Sequence, residues 1–77
     1  MINYYKSGFS FYRIDTGSKS FYHANDAEDI SFFCLITKEI TFDQLLKAIT
    51  DNTSGRWLVA SEEEFLSAKE NVLNKLN

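Results

Sequence analysis

The chain has no proline, one cysteine (Cys34), one histidine (His23), one tryptophan (Trp57) and three glycines in 77 residues. Each scarcity excludes something. A lone cysteine forms no internal disulfide, and with a lone histidine it cannot fill a four-ligand metal centre. Without proline, chain breaks have to be read from clusters of Gly, Asn, Asp and Ser. The longest apolar run, residues 32–36, is far too short to cross a bilayer, so no membrane contact is expected. The opening Met1-Ile2-Asn3-Tyr4-Tyr5-Lys6 lacks a basic head followed by an apolar stretch, so no signal peptide is expected. The match of Asn52-Thr53-Ser54 to a glycosylation sequon then carries no weight, and the unpaired thiol fits a reducing cytoplasm.

Blocks of one charge are missing too. Eleven acidic and eight basic side chains give a net charge of −3. The first forty residues hold five acids against four bases and the rest six against four. A phosphate-binding surface needs clustered Lys and Arg to release counterions, and this composition argues against nucleic acid as a partner. Glycine loops for phosphates, His-x-x-x-His, Gly-x-Ser-x-Gly and spaced cysteine pairs are all lacking, so neither a cofactor nor an enzyme activity is expected.

Aromatic residues are plentiful, at 16%. Nine of the twelve lie between Tyr4 and Phe33. Phe and Tyr suit a pleated surface, which points to a sheet built from the N-terminal half. Lys6-Ser7-Gly8 separates an expected strand at residues 2–5 from one at 9–14. Asp15-Thr16-Gly17-Ser18-Lys19 leads into a third at 20–23, and both connections have hairpin chemistry. After the polar turn Asn25-Asp26-Ala27-Glu28-Asp29 comes a fourth strand at 30–37. There Ile30, Phe32, Cys34 and Ile36 share one face, opposite Ser31, Phe33, Leu35 and Thr37. A strand apolar on both faces is expected at the centre of a sheet or covered twice.

The period changes at Thr41. Thr41 with Gln44 forms an expected capping box. Phe42, Leu45, Leu46 and Ile49 follow as a helical stripe, which the stretch Asp51-Asn52-Thr53-Ser54-Gly55 stops. Trp57-Leu58-Val59 is a short strand or an anchored connection. Ser61 with Glu64 is a second capping box. It opens a helix whose apolar face carries Phe65, Ala68, Val72, Leu73 and Leu76, with Leu66 near its edge. The expected fold is therefore one α+β domain over residues 1–77. An antiparallel three- to four-stranded N-terminal meander packs against two C-terminal amphipathic helices.

Several residues invite a functional reading. Glu62, Glu63 and Glu64 point about 100° apart on a helix and cannot converge on one ion; they complement the helix dipole. Cys34 sits among apolar neighbours, where a thiol is poorly ionised, so a Cys34–His23 nucleophile pair is not expected. His23, beside Asn25 and Asp26, reads as a surface turn residue. Lys6-Ser7-Gly8-Phe9-Ser10-Phe11-Tyr12-Arg13-Ile14 resembles the basic, glycine-then-aromatic segment with which RNA-recognition-motif domains stack bases. That resemblance implies single-strand binding through Phe9, Phe11 and Arg13. The other reading of these rings is packing, in the core or at a protein interface. Trp57 reads as a plug at the sheet–helix junction or as an interface anchor. Tyr4-Tyr5 and Phe21-Tyr22 each place one ring away from the core. The candidate interaction surface is therefore Tyr4, Tyr5, Phe9, Phe11, Tyr12, Arg13, Tyr22 and Trp57, with a second copy or a larger protein as the expected partner.

The segment Ser61-Glu62-Glu63-Glu64-Phe65-Leu66-Ser67-Ala68-Lys69-Glu70-Asn71-Val72-Leu73, together with the Tyr4-Tyr5-Lys6 start, resembles small uncharacterised proteins of tailed phages. The resemblance implies a phage origin, with the host cytoplasm as compartment, and brings no activity or site residues. A chain this short buries only about 60–65% of its unfolded surface, so a partner subunit would help a thin core.

Overall fold

Four strands follow one another along the chain: β1 (Ile2–Ser7), β2 (Ser10–Asp15), β3 (Ser20–Asp26) and β4 (Ser31–Ile36). Helix α1 (Glu39–Asp51), strand β5 (Leu58–Val59) and helix α2 (Glu62–Leu76) complete the order. These elements come from a computed structural model that describes residues 1–53 and 55–76; Ser54, part of the expected helix stop, lies outside the described residues. The sheet is antiparallel throughout, in the order β4-β3-β2-β1-β5. The α+β class is as expected, but β5 adds a fifth strand. Its Ala60 amide continues the contact by donating to the Tyr4 carbonyl.

Turn chemistry sets the register. Ser7 pairs with Ser10, leaving Gly8-Phe9 as a two-residue loop. Gly8 has φ +60° and Phe9 is not in the positive-φ region, the pattern of a type II′ turn with glycine first. Phe9 thus stands in the turn, not in the strand. At the next connection the Asp15 carboxylate accepts from the Gly17 and Ser18 amides, at 2.9 and 3.3 Å, an Asx turn that holds the four-residue loop.

Strand alternation divides the sheet into two faces, and one helix covers each. Tyr12, Ile14 and Phe21 point to α1 and pack with Phe42, joined by Leu45, Leu46, Ile49, Tyr5, Ile36 and Trp57. Ala24 faces the other way, toward Phe65 and Ala68 of α2, among Tyr4, Phe11, Tyr22 and Phe33. Two methyl side chains meeting there let α2 sit close, so the Phe65 ring drops beside Tyr4 at 5.7 Å and Phe33 at 6.4 Å. Both-sided aromatic strands are explained by this: the helices do not share a face, and each half of the aromatic set has its own cover.

Two further expectations need correcting. β4, apolar on both faces, is not central but forms one edge of the sheet. α2 packs on one of its faces, where Phe33 joins the cluster of Phe65 and Ala68, but only Ile36 joins the α1-side cluster on the other, so Phe32 and Leu35 stay exposed. The capping box at Thr41 is also absent. α1 starts at Glu39 after Lys38, which supplies no side-chain cap, so Thr41 lies inside the first turn. The second box is present in full. The Ser61 hydroxyl accepts from the Glu64 amide at 3.1 Å, and the Glu64 carboxylate accepts from the Ser61 amide at 3.2 Å.

Candidate interaction surface

The sequence-selected residues are spread over both faces. Tyr4, Phe11, Arg13 and Tyr22 lie on the α2 side and Tyr5, Tyr12 and Trp57 on the α1 side. Most are partly covered. Tyr12 is buried under Trp57, ring centroids 5.1 Å apart. Asn52 clamps Trp57 by accepting from its amide and donating to its carbonyl, both at 3.1 Å. Tyr22 stacks on Phe33 at 5.4 Å, with the Arg13 guanidinium 5.9 Å above its ring. Of the eight, Phe9 alone is exposed, at 67%. Phe11, half-buried against α2, does not stand beside it on an open strand.

Shallow grooves flank α2. One, of about 430 Å³, is lined by Phe11, Asp26, Glu63, Glu64 and Asn71. The other, of about 320 Å³, is lined by Tyr22, Phe33, Arg13 and Lys69 among others. The helix therefore separates an acidic groove from a mainly basic, aromatic one. Lys6 binds Glu64 at the start of α2, and Lys75 holds Asp26 at 2.7 Å at its end, fixing the helix across the strands.

His23 is not a turn residue. It lies within β3, half-buried, stacked on Tyr12 at 4.3 Å and edge-on to Phe32 at 4.8 Å. Its Nε2 lies 2.9 Å from the Ser10 hydroxyl, which donates to Asn25 Oδ1 at 2.8 Å. That direction leaves Ser10 as the acceptor and assigns the Nε2–H tautomer to His23. Asn25 passes the chain on to the Ile30 carbonyl at 2.8 Å. Burial lowers the His23 pKa to about 4, so the ring is neutral at pH 7. Burial also pushes the Cys34 thiol up, which keeps it protonated. The relay holds a turn; it presents no activated nucleophile.

Sequence reasoning missed the edge strand itself. β4 reads Ser-Phe-Phe-Cys-Leu-Ile, with no charge and no proline. Its pairing to β3 is continuous from Phe21–Ile36 to Asp26–Ser31, without a bulge. The usual protections of a sheet edge are therefore missing. The opposite edge is blunter, because β5 is only two residues long. Around β4 stand exposed apolar side chains: Ile30, Phe32 and Leu35 on or next to the strand, and Leu73 and Leu76 at the end of α2. An edge position cannot be read from one strand's composition, since it depends on which neighbours the other strands choose.

Among the described residues no group of His, Cys, Asp and Glu is arranged to hold a metal ion. No helix among them is long and apolar enough to cross a membrane. The chain matches no family model, no curated protein and no solved structure.

Proposed function

We propose that this chain is a small non-catalytic interaction module that associates with itself or docks on a larger protein. The observation that carries the proposal is β4: an uncharged, unbulged strand on an open sheet edge, ringed by exposed apolar side chains. Unpaired backbone groups beside apolar surface gain hydrogen bonds and burial together when another strand joins. Light scattering during size exclusion tests the self-association half. A mass above the 8.9 kDa of one chain is expected as concentration rises into the high micromolar range. A strict monomer there removes self-association and leaves docking on another protein.

The phage-like ends, Tyr4-Tyr5-Lys6 and residues 61–73, support a phage origin and work in the host cytoplasm. Virion structural genes as neighbours would support a phage interaction protein, whereas replication or transcription genes would raise the single-strand nucleic-acid reading. Single-strand binding through Phe9, Phe11 and Arg13 has less behind it. Phe11 serves the α2-side cluster and Arg13 lies over Tyr22.

A further inference from the structure

The hydrogen-bond phase of the sheet fixes which backbone groups of β4 are free. The Asp26 amide donates to the Phe9 carbonyl, so Asp26 directs its backbone toward β2. In an antiparallel ladder neighbouring residues alternate in that direction. Asn25, His23 and Phe21 therefore turn toward β4, where they meet Phe32, Cys34 and Ile36. The backbone N–H and C=O groups of Ser31, Phe33 and Leu35 consequently point away from the sheet, as do those of Thr37 if the extended chain continues one residue.

We propose that two copies of this chain pair through their β4 edges, antiparallel, about a two-fold axis passing between the two Cys34 residues. The inference rests on the self-association reading and gives it a site and a register. In this register Phe33 of one copy pairs with Leu35 of the other, and Ser31 with Thr37. Every outward group from 31 to 37 is satisfied, whereas a shift of two residues either way leaves some unpaired. A two-fold axis demands a self-complementary surface, and an uncharged strand supplies one.

Charge chooses the direction and names the occupant. Glu28 and Asp29 precede β4, and Lys38 follows it. None of these three takes part in the ion pairs found among the described residues. Antiparallel pairing brings Lys38 of each copy to Ile30, Asp29 and Glu28 of the other, twice over by symmetry. Parallel pairing would set acid against acid. The apolar rim follows the same logic. α2 reaches the Ser31 end of β4, where Lys75 contacts the Ser31 hydroxyl at 3.4 Å. Its exposed Leu73 and Leu76 flank Lys75 at that end, and Leu35 of the second copy, 48% exposed alone, would pair with Phe33 two residues further along the strand.

Cys34 reports the register directly. Its backbone faces β3, so across the new seam the two Cys34 residues form a non-hydrogen-bonded pair. Their Cα atoms would stand about 4.5 Å apart, within reach of a disulfide. The test uses the whole chain. Diamide, as oxidant, should convert the dimer to a Cys34–Cys34 disulfide seen by intact mass, while Cys34→Ser remains dimeric and uncross-linked. Leu35→Pro removes only an outward amide, and Leu35→Lys places a charge at the seam. Each should return the light-scattering mass to one chain while circular dichroism stays native, with Leu35→Lys deciding if the proline variant misfolds. A dimer that survives both substitutions overturns edge pairing and leaves self-association standing. A dimer that both substitutions break but that forms no Cys34 disulfide overturns the register. A wild-type monomer at every concentration overturns the pairing and self-association together.

Discussion

At the scale of single residues, His23 is where structure departs most from local reading. Next to Asn25 and Asp26 it has the sequence surroundings of a turn, yet the register puts it in the middle of β3, between Tyr12 of β2 and Cys34 of the edge strand β4. Its neighbours are two rings and a hydroxyl, which in turn donates to the Asn25 amide oxygen. A buried base with a folded pKa of about 4 binds its proton less readily than in the unfolded chain, where about 6.5 applies. The unfolded state therefore takes up the proton first as pH falls. Stability should be level above about pH 6.5 and decline from there toward pH 4. With allowance for partial exposure, the loss is on the order of 1–2 kcal/mol. The acids whose pKa values are lowered, Asp15, Asp26, Glu39 and Glu64, begin to lose their contribution as pH falls toward the ordinary values of 3.8 and 4.5, so the upper part of the window, from about pH 6.5 to about pH 5, isolates His23. Urea titrations at several pH values should show the decline in the wild-type chain and a flatter profile in His23→Gln. An equal slope in both would refute the assignment.

At the scale of elements, two capping boxes look alike in sequence and differ in fact. Ser61 forms both reciprocal bonds with Glu64, whereas Thr41 lies inside α1, whose preceding Lys38 has no side-chain cap. Ser61→Ala should cost about 1 kcal/mol in denaturant unfolding. Thr41→Ala should change stability by less than about 0.5 kcal/mol, because alanine is the better helix former and no cap bond is lost. Equal losses would show that Thr41 caps α1 after all. The apolar stripes can be ranked in the same way. Phe65, 2% exposed, should cost about 3–5 kcal/mol as Phe65→Ala, most of the stability of so small a domain. Leu66 beside it is largely exposed, and Leu66→Ala should cost less than about 1 kcal/mol. Both helices were legible because their stripes repeat at 3.6 residues. Their assignment to opposite faces was not, because it depends on how Ala24 and Tyr12 alternate within one sheet.

For the whole molecule, the division into aromatic strands and covering helices was visible in the chain, and so was the excess of aromatic surface. Its resolution was not. Five of the eight selected residues are half-buried in one cluster or the other or held over a stacked ring: Tyr4, Tyr5, Phe11, Tyr22 and Arg13. Tyr12 is in the core and Trp57 closes over it, which leaves Phe9 open. The partner surface we propose is the edge of β4, whose two-sided apolar pattern first reads as the mark of a central strand. In a two-fold dimer that reading becomes true: the strand gains a neighbour on its open side, and one continuous antiparallel sheet runs through both copies.

Amide hydrogen exchange, followed residue by residue at low and high protein concentration, tests this most directly. Phe32, Cys34 and Ile36 donate toward β3 and should be protected at both concentrations. Phe33 and Leu35 should exchange rapidly in dilute protein and become protected as the dimer fills. If Phe33 and Leu35 exchange equally fast at every concentration, β4 is not the seam.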